Sequence, residues 1–541
     1  MAADHEPHKV VATEIDHVPS KDSVGIRAIE ANPAGAQLAA VTEVYKPSMT
    51  SKGMRKLWAV CFVGYFISTM NGFDGSLMGS VNAMEEYQKT FNLDGAGAST
   101  GVIFIIYSLG SVAAFPFCGM LADGLGRRKC IAIGCFIVLV GTAIQAPSNT
   151  RSQFMGGRFV LGFGAAIAQA AGPVYIVELA HPAFRGFQAG MYNNFWWLGN
   201  ILAAWTTYGC NKNIQSSWAW RIPTTAQAFL PGLVFLTILF LPESPRWLIA
   251  QDRHEEAIAI FAKYHADGNR EDPIVTLQVG EIIEQIQAND QEHRWWDFRE
   301  LFSSRATCYR SMMVICMAFF GQWSGNTIVS YFLPAMIENG GITDTSTQLL
   351  ITAINPIFSM IAAVAGASLL DKLGRRVMLL GGLMGALGCY IAVTAFSARS
   401  ADNPNLVYGL IVFIYLFGVF FAGGWTPLQV LYPVECLENH TRARGAGMKF
   451  LFLNIASMTN TYGISVGIKA IGWKLYLVFV GWLCVEIVVV YFFFVETAGK
   501  TLEELSEIFE AKNPVKKSLE KVKFQVGTSG KVLSSENDGA A

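Results

Sequence analysis

An acid and an arginine lie inside two apolar stretches of this chain, where ionisable side chains are costly and functional by default. Asp74 stands in Asn71-Gly-Phe-Asp-Gly-Ser-Leu-Met-Gly79, and Arg158 in Gly156-Gly-Arg-Phe-Val-Leu-Gly-Phe-Gly164. If the two face each other, the carboxylate takes up a proton when the arginine moves away and releases it when the arginine returns. One proton moved down a membrane potential yields about 2.3 kcal/mol per 100 mV. The alternative is that each side chain lies at a helix end and reaches water.

Two charge patterns each occur twice in the chain. The first is an acid followed by a Gly-Arg-Arg run, and its two copies lie 248 residues apart. The second is a glutamate seven residues before an arginine. The charged residues of both patterns are Asp123, Arg127, Glu178, Arg185, Asp371, Arg375, Glu435 and Arg442. This duplication predicts two copies of one ancestral half, as in many secondary transporters.

We expect these eight residues to form ion-pair clusters between two helix bundles, holding a cytoplasmic gate closed. Seven residues span about two helical turns, so a glutamate and its following arginine cannot stack on adjacent turns. The alternative is that the arginines are ordinary interfacial basic residues that follow the orientation rule. That alternative explains the arginines but leaves the matching acids unexplained.

Composition indicates that most of the surface meets lipid. The chain has 541 residues, of which 52% are hydrophobic and 15% charged, whereas soluble proteins carry roughly 25% charged residues. A net charge of −1 indicates no nucleic-acid partner. The ten cysteines are scattered and without CxxC spacing, as expected for buried thiols and not for a disulfide framework. We find no metal cluster, nucleophile elbow or phosphate loop, so we expect neither an enzyme nor a cofactor.

Twelve segments are long and apolar enough to cross a bilayer, which takes ~20 residues. They are 57–80, 99–121, 129–147, 154–177, 188–208, 222–241, 310–336, 346–369, 377–397, 406–432, 446–467 and 473–494. The predicted fold is an all-α membrane protein with twelve transmembrane helices in two pseudo-symmetric six-helix bundles. The predicted regions are an N-terminal tail 1–56, bundles 57–241 and 310–494, a linker 242–309 with short helices, and a C-terminal tail 495–541.

Basic residues in the short loops indicate the orientation. They follow the second, eighth and tenth spans and precede the first span, so all of them fall on one side of the membrane. That side should be cytoplasmic, with both termini and the linker. We see no cleavable signal peptide, so the first apolar segment should act as the targeting signal. The tails are then available to signalling or trafficking partners.

Uncharged amides beside aromatic rings recur along the fifth, seventh, eighth, tenth and eleventh spans. Amides donate and accept hydrogen bonds and flat rings pack on C–H faces, which suits a neutral, hydroxyl-rich ligand. The alternative is hydrogen bonding between helices within lipid. The candidate ligand residues are Asn193, Asn200, Gln322, Asn326, Tyr331, Asn355, Trp425, Gln429 and Asn454.

Over about residues 57–504, the chain resembles the sugar porter family of the major facilitator superfamily. The matching motifs are the two Asp-x-x-Gly-Arg-Arg loops, Gly-Arg-x-x-x-Gly at 157–162, Pro-x-Tyr-x-x-Glu to Arg-Gly at 173–186, Pro-Glu-Ser-Pro-Arg at 242–246 and Glu-Thr-x-Gly-x-Thr-Leu-Glu-Glu at 496–504. The resemblance implies alternating access around a central sugar site. Proton-coupled members carry an acid at the position of Asp74, paired with the arginine of the fourth span. This favours symport and leaves uniport as the alternative.

The resemblance also shows where the sugar site departs from the family pattern. The fifth-span glutamine of the family corresponds to Asn193, and the tryptophan that stacks on the sugar falls on Val430, leaving Trp425 at an earlier position. Asn-Gly-Phe-Asp-Gly-Ser-Leu-Met-Gly and Gly-Gln-Trp-Ser-Gly-Asn resemble the fungal lactose permease and cellodextrin transporter group. We therefore expect a plasma-membrane importer of a β-linked disaccharide such as lactose or cellobiose. A hexose or pentose carrier and a transporter-like sugar sensor are the alternatives.

Overall fold

The structure is a computed structural model. It describes residues 50–93, 95–289, 298–400, 403, 405–438, 441–498, 500, 502–520, 522–526 and 532–537. All of the helices described below belong to one compact unit within residues 31–519. A separate unit contains an antiparallel hairpin of β1 (Val522–Val526) and β2 (Val532–Asn537), with a register shift between Gln525 and Val526.

In the first half of the helical unit, the residues that the structure describes form eight helices. They are α1 Lys52–Val81, α2 Glu85–Phe91, α3 Ala98–Leu125, α4 Arg127–Gln145, α5 Arg151–Leu179, α6 Arg185–Asn213, α7 Trp218–Ala226 and α8 Phe229–Ile238. The predicted first to fifth spans are α1, α3, α4, α5 and α6. The predicted sixth span is two helices, α7 and α8, with a break after Ala226.

The linker forms three short helices with a small core of their own. They are α9 Pro245–Ala250, α10 His254–His265 and α11 Pro273–Asn289, and Leu248, Phe261 and Val275 pack together between them. The helical periodicity at 253–266 and 275–286 therefore gave two of the three helices. A 3-10 turn, Arg299–Phe302, leads into the second half.

The described residues of the second half form ten helices. They are α12 Arg305–Trp323, α13 Asn326–Asn339, α14 Thr345–Leu373, α15 Arg375–Arg399, α16 Leu406–Gly424, α17 Leu428–Cys436, α18 Arg442–Ile471, α19 Leu475–Phe493, α20 Leu502–Glu510 and α21 Pro514–Leu519. The seventh span is α12 and α13, broken at Gly325, whose φ of +94° suits glycine. The tenth span is α16 and α17, broken around Trp425.

Among the described residues, eight segments are long and apolar enough to cross a membrane. The segment Arg444–Phe493 contains both α18 and α19, so these eight segments hold nine of the twelve predicted spans. The other three predicted spans are α1, α6 and the α7–α8 pair, which belong to the helix bundle of the first half. The observed architecture is therefore all-α in the helical unit and consistent with twelve spans.

Local sequence explains where several helices begin and how closely they pack. The side chains of Ser51, Thr150 and Asp344 accept backbone N–H groups at the starts of α1, α5 and α14, a standard N-terminal cap. Gly162 in α5 lies against the backbone of Tyr107 in α3, so closely that a Cβ there would overlap it. This contact brings the residue one turn earlier in α5, Arg158, onto the ring of Tyr107.

Candidate functional site

Asp74 is fully buried in α1, with 0% exposure, and neither carboxylate oxygen has a hydrogen-bond partner among the described residues. The buried side chain of Gln227, at the break between α7 and α8, lies beside this carboxylate without meeting full hydrogen-bond geometry. The helix is held in place by Gly72, which packs directly on the backbone of Trp196 in α6. In this state no described group forms a hydrogen bond of full geometry with the carboxylate.

Arg158 is buried in α5 at 3% exposure and lies near the same acid. Its guanidinium carbon is 5.1 Å from the centroid of the Tyr107 ring, a cation–π contact. The Tyr107 hydroxyl in turn donates to Asn71 Oδ1 at 3.2 Å. Arg158 and Asp74 interact electrostatically, but no ion pair within 4 Å joins them in the described part of the chain. The structure thus places the two predicted residues near each other, without direct contact between them.

Tyr331, predicted as a ligand residue, lies beside this charged pair. It belongs to α13 of the second half, and its ring is 5.7 Å from that of Phe104 in α3. It also interacts electrostatically with Arg158. Directly before it, Ser330 packs its backbone on Gly79 of α1. The acid, the arginine and the tyrosine therefore form a path from the first half to the second.

The first ion cluster joins three helix ends of the first half. Arg127 at the start of α4 contacts Glu178 of α5 at 3.1 Å and Asp123 of α3 at 3.3 Å. Ser244, in the linker, donates to Glu178 Oε2 at 2.5 Å. Glu178 is thus shared by a guanidinium and a hydroxyl, and its side chain is only 9% exposed.

The second cluster repeats this arrangement in the second half. Arg375 at the start of α15 contacts Glu435 of α17 at 2.9 Å. Thr497 donates to the other oxygen of Glu435 at 2.6 Å, in the place that Ser244 takes in the first half. The side chain of Asp371 lies outside the described part of the chain. The duplicated motifs therefore fold into two copies of one ion-pair geometry.

Two further glutamates, Glu243 and Glu496, complete the clusters and were missed as site residues. Glu243 accepts the backbone N–H of Arg128 at 3.1 Å, and Glu496 accepts those of Arg375 and Arg376 at 2.9 and 3.0 Å. Each carboxylate therefore caps the positive end of a membrane helix. The repeated Glu-Ser and Glu-Thr dipeptides, at nearly the offset of the other patterns, could have revealed them.

The arrangement within these clusters differs from the expected clusters between the two bundles. Among the described contacts, Glu178 and Glu435 bind Arg127 and Arg375 and not the arginines seven residues later. Arg185 instead interacts with Glu281 of α11, in the linker, and no ion pair of Arg442 is described. Each cluster also lies within one half, not between the halves, because the loop after α3 or α14 folds back onto its own bundle.

Three of the predicted ligand residues, Asn200, Asn326 and Asn355, line one cavity between the halves. Its volume is about 10 Å³, room for about one water molecule, so the halves are closed on each other here. The carbonyl oxygen of Asn355 lacks a hydrogen-bond partner among the described residues and is free to receive one. The full lining is Trp197, Asn200, Asn326, Val329, Ser330, Leu333, Thr352, Asn355, Pro356, Ser359 and Gly418.

Contacts on both sides of this cavity join the two halves. On the side of the ion clusters, Asn193 Nδ2 in α6 donates to the carbonyl of Thr426 at 3.2 Å. On the opposite side, the hydroxyl of Ser465 in α18 donates to the Gly97 carbonyl at 2.8 Å. Asn193, predicted as a ligand residue, thus contacts the other half in this closed state.

The other predicted ligand residues lie away from the lining of this cavity. Trp425 and Gln429 both face Gly321 beneath the break of the seventh span, and the Trp425 indole N–H has no partner within the described residues. Asn454 donates to Phe450 of its own helix at 2.9 Å. The described hydrogen bonds of Gln322 use its backbone carbonyl. Asn454 and Gln322 are therefore not brought to the cavity in this state.

A sequence profile described as Sugar (and other) transporter matches residues 60–509. The chain belongs to this family, the sugar porters of the major facilitator superfamily. It is 30% identical over 487 residues to High-affinity glucose transporter 1 of Candida albicans, covering 86% of this chain and 88% of that protein. It is 27% identical over 485 residues to a quinate permease of Neurospora terricola, covering 84% and 89%.

Solved structures show the same fold. The inward-open xylose transporter XylE from E. coli superposes with a TM-score of 0.70 at 20% identity, covering 84% of this chain and 100% of that one. A second structure, described as the proton:xylose symporter XylE bound to 6-bromo-6-deoxy-D-glucose, gives a TM-score of 0.68 at 20% identity, covering 84% and 99%. The relatives are transporters, and this sugar porter is a multi-pass membrane protein and not an enzyme.

Proposed function

We propose that this sugar porter imports a neutral sugar across the plasma membrane by proton symport, with both termini and the linker in the cytoplasm. The observation that carries the proposal is the buried carboxylate of Asp74, which faces the guanidinium of Arg158 without pairing with it. An acid with a movable cationic neighbour can bind a proton in one state and release it in another. The orientation is supported by the basic residues of the short loops.

Protonation of Asp74 would be transmitted to the cavity through Tyr331. When the carboxylate is neutral, Arg158 loses the attraction of that anion and shifts toward the tyrosine of α13. That helix begins at Asn326, which lines the cavity. A movement of α13 therefore changes the sugar-binding surface, which couples the proton to the sugar.

The ion clusters are proposed to act at the cytoplasmic gate by keeping each bundle rigid. Because each cluster ties three chain segments of one half, the halves can rock as bodies while their own helices stay together. The bond between Asn193 and Thr426, which joins the halves on the same side, then has to break when the gate opens. The proposal also includes Asp371, Arg185 and Arg442, because they lie at the same helix ends.

The proposed substrate is a β-linked disaccharide such as lactose or cellobiose, on the basis of the motifs in the first and seventh spans. A hexose or pentose is the alternative that the glucose-transporting relative supports. The polar lining of the cavity consists of uncharged amides and hydroxyls, which suits either. A sugar needs far more than 10 Å³, so binding requires the halves to separate.

One observation favours a second substrate class. Lys449 lies in α18 and its ammonium donates to the backbone carbonyl of Gln429, in the broken tenth span. The sequence analysis counted this cation only among the basic residues after the tenth span. It could hold the carboxylate of a polyhydroxylated acid. One relative is a quinate permease, so quinate is included among the test substrates.

The test is uptake by a yeast strain that lacks its own sugar carriers. Labelled lactose, cellobiose, glucose, xylose and quinate are offered in acidic and in mildly alkaline medium, with the Asp74→Asn variant at equal expression as the control. The proposal expects uptake of a neutral sugar that is faster in acid and accompanied by alkalinisation of the medium. An uptake rate that does not change with pH would indicate a uniporter. If none of the five test substrates is taken up, the transporter-like sugar sensor is favoured.

A further inference from the structure

A second buried acid, Glu486, lies in the second half, and the proposed proton path does not use it. It belongs to α19 and has 0% exposure. Neither carboxylate oxygen has a hydrogen-bond partner among the residues that the structure describes. Such a carboxyl inside a membrane bundle is costly in its ionised form and is a functional candidate by default.

The surroundings of Glu486 are aromatic and belong to the interface of α12 and α19. The indole of Trp482, one turn earlier, lies beside the carboxyl. That indole is 5.1 Å from the ring of Trp323, the last residue of α12 before the break of the seventh span. A movement at this break therefore shifts the aromatic ring that covers the acid.

Among the described residues of the neighbouring helices, the titratable groups that act on Glu486 do not include a cation. Cys316 of α12 is the group whose charge state interacts with Glu486. On α15, the Tyr390 hydroxyl donates to the Gly325 carbonyl at 2.7 Å. The arginines at the near ends of α12 and α15, Arg310 and Arg375, contact Glu438 and Glu435. From α18, the carbonyl of Ala456 accepts the Trp323 N–H at 3.0 Å.

We propose that Glu486 is a second proton-binding site that must hold a proton whenever the second bundle is closed. In the closed state a bound proton removes a charge that no described group compensates. When α12 and α19 separate and admit water, the O–H bond breaks and the proton passes to that water. The carboxylate then has to take a proton back before the bundle can close again. This inference rests on the proposed transport cycle.

The exchange takes place on one side of the membrane. Glu486 lies about two turns before the end of α19 at Phe493, close in sequence to Glu496 and its ion cluster. A proton that leaves and returns on the same side performs no transport. Glu486 therefore sets how fast the transporter closes, while Asp74 supplies the drive.

This mechanism predicts a rate that depends on the pH of the ion-cluster side. A glutamate in water has an ordinary pKa of about 4.3, so the protonated fraction of the open state falls about tenfold for each pH unit near neutrality. Where closure limits the cycle, exchange should slow by the same factor as that side becomes more alkaline.

The experiment is equilibrium exchange of labelled D-glucose in proteoliposomes of uniform orientation, with full-length protein and the pH varied on one side at a time. Wild type should slow by up to tenfold per pH unit on the ion-cluster side. Glu486→Gln and Glu486→Leu should give flat profiles, and Glu486→Asp should keep the slope. The control Glu338→Gln changes an exposed glutamate of α13 and should match wild type. A wild-type slope in the two neutral variants would overturn the proposal.

A second readout does not depend on transport. Infrared spectra of purified wild type minus Glu486→Gln at neutral pH should contain the carbonyl stretch of a protonated carboxylic acid. A carboxylate band in its place would overturn the proposal even if both proteins transport sugar. If wild type exchanges no glucose, the proposed function is in doubt for that sugar, and the infrared result still decides the state of Glu486.

Discussion

The two halves of this transporter have the same ion-pair arrangement at their helix ends but differ in the surroundings of the acid buried in the middle of each half. At the ends, Arg127 with Glu178 and Arg375 with Glu435 have the same geometry, each supported by one hydroxyl. In the middle, the first half buries an acid beside an arginine, whereas the acid of the second half, Glu486, lies among aromatic rings.

This difference indicates that the two halves have different tasks in transport, although they derive from one duplicated unit. The repeated ends keep each bundle rigid, and that requirement is equal for both halves. The middle of the first half can change the partners of its acid, because a guanidinium lies nearby but is not bound. The middle of the second half can only bury or expose its acid. The first arrangement suits energy coupling and the second suits control of closure.

The largest effect is expected for Asp74→Asn. The amide cannot carry a proton, so accumulation against a gradient should be lost while exchange of sugar continues. Accumulation and exchange are measured with labelled sugar in intact yeast. Asp252→Asn in the linker, a fully exposed acid, is the control and should accumulate like wild type. Accumulation by Asp74→Asn at the wild-type level would remove the proposed difference between the halves.

The next effect concerns the shared ends. Glu178→Gln leaves Arg127 without its buried carboxylate, and breaking such a pair costs about 3 kcal/mol. Glu435→Gln should cost less, because the side chain of Glu435 is 20% exposed and that of Glu178 is 9% exposed. Thermal unfolding of the purified variants measures both. Replacing Arg127 and Glu178 together by glutamine should recover part of the loss, and equal stability of all variants would contradict the structural role.

A smaller effect should distinguish the cavity from the surrounding helices. Asn355→Ala removes a side chain with a free acceptor in the cavity, and loss of one hydrogen bond to the sugar costs about 1.4 kcal/mol, or tenfold in KM. Asn454→Ala removes an amide that bonds its own helix, so its KM should change little. Uptake kinetics at several sugar concentrations measure both, and the opposite order would place the sugar elsewhere.

The effect that is smallest near neutral pH concerns the linker, which is attached to the first half through two histidines. His265 bridges the Leu179 carbonyl at 3.0 Å and Gln278 at 2.9 Å, and its ring is 4.9 Å from that of His181. Burial lowers the pKa of His265 to about 4 and that of His181 to about 3. Both side chains are therefore neutral while the linker is docked.

The sign of the pH effect follows from these lowered values. An undocked linker would return each histidine to its ordinary pKa of about 6.5, so docking is fully stable above that pH and weakens as the pH falls below it. One pH unit below 6.5, each histidine should cost about 1.4 kcal/mol. Hydrogen exchange of α10 measures this, and His265→Gln should show about half the change. A protection factor of the α10 amides that does not change with pH would contradict the docked arrangement.

The sequence predicted the parts of the fold that depend on regular patterns. Long apolar runs gave the spans, and the duplicated motifs gave two related halves. It did not give the breaks at Gly325 and Trp425, because these depend on how α13 and α17 pack. It also missed Glu486, an acid in an apolar run like Asp74, because no repeated motif pointed to it.

The sequence predicted which residues contribute to the site better than it predicted which residues contact each other. Asp74 and Arg158 were found because charges in apolar runs are conspicuous, and the structure places them near each other. The partners of Glu178 and Glu435 were not predicted, because spacing along one chain segment does not show which loop folds back on it. Asn200, Asn326 and Asn355 meet in one cavity, but the distance between helices that brings them together is a property of the packed bundles.

The most direct test of proton coupling through Asp74 is the sugar gradient at which net flux reverses in sealed vesicles with an imposed pH difference and no membrane potential. If one proton accompanies each sugar, wild type should reverse at a sugar gradient of about tenfold per pH unit. Asp74→Asn should reverse when the two sugar concentrations are equal. Reversal of wild type at equal concentrations, whatever the pH difference, would contradict the claim that this acid drives transport.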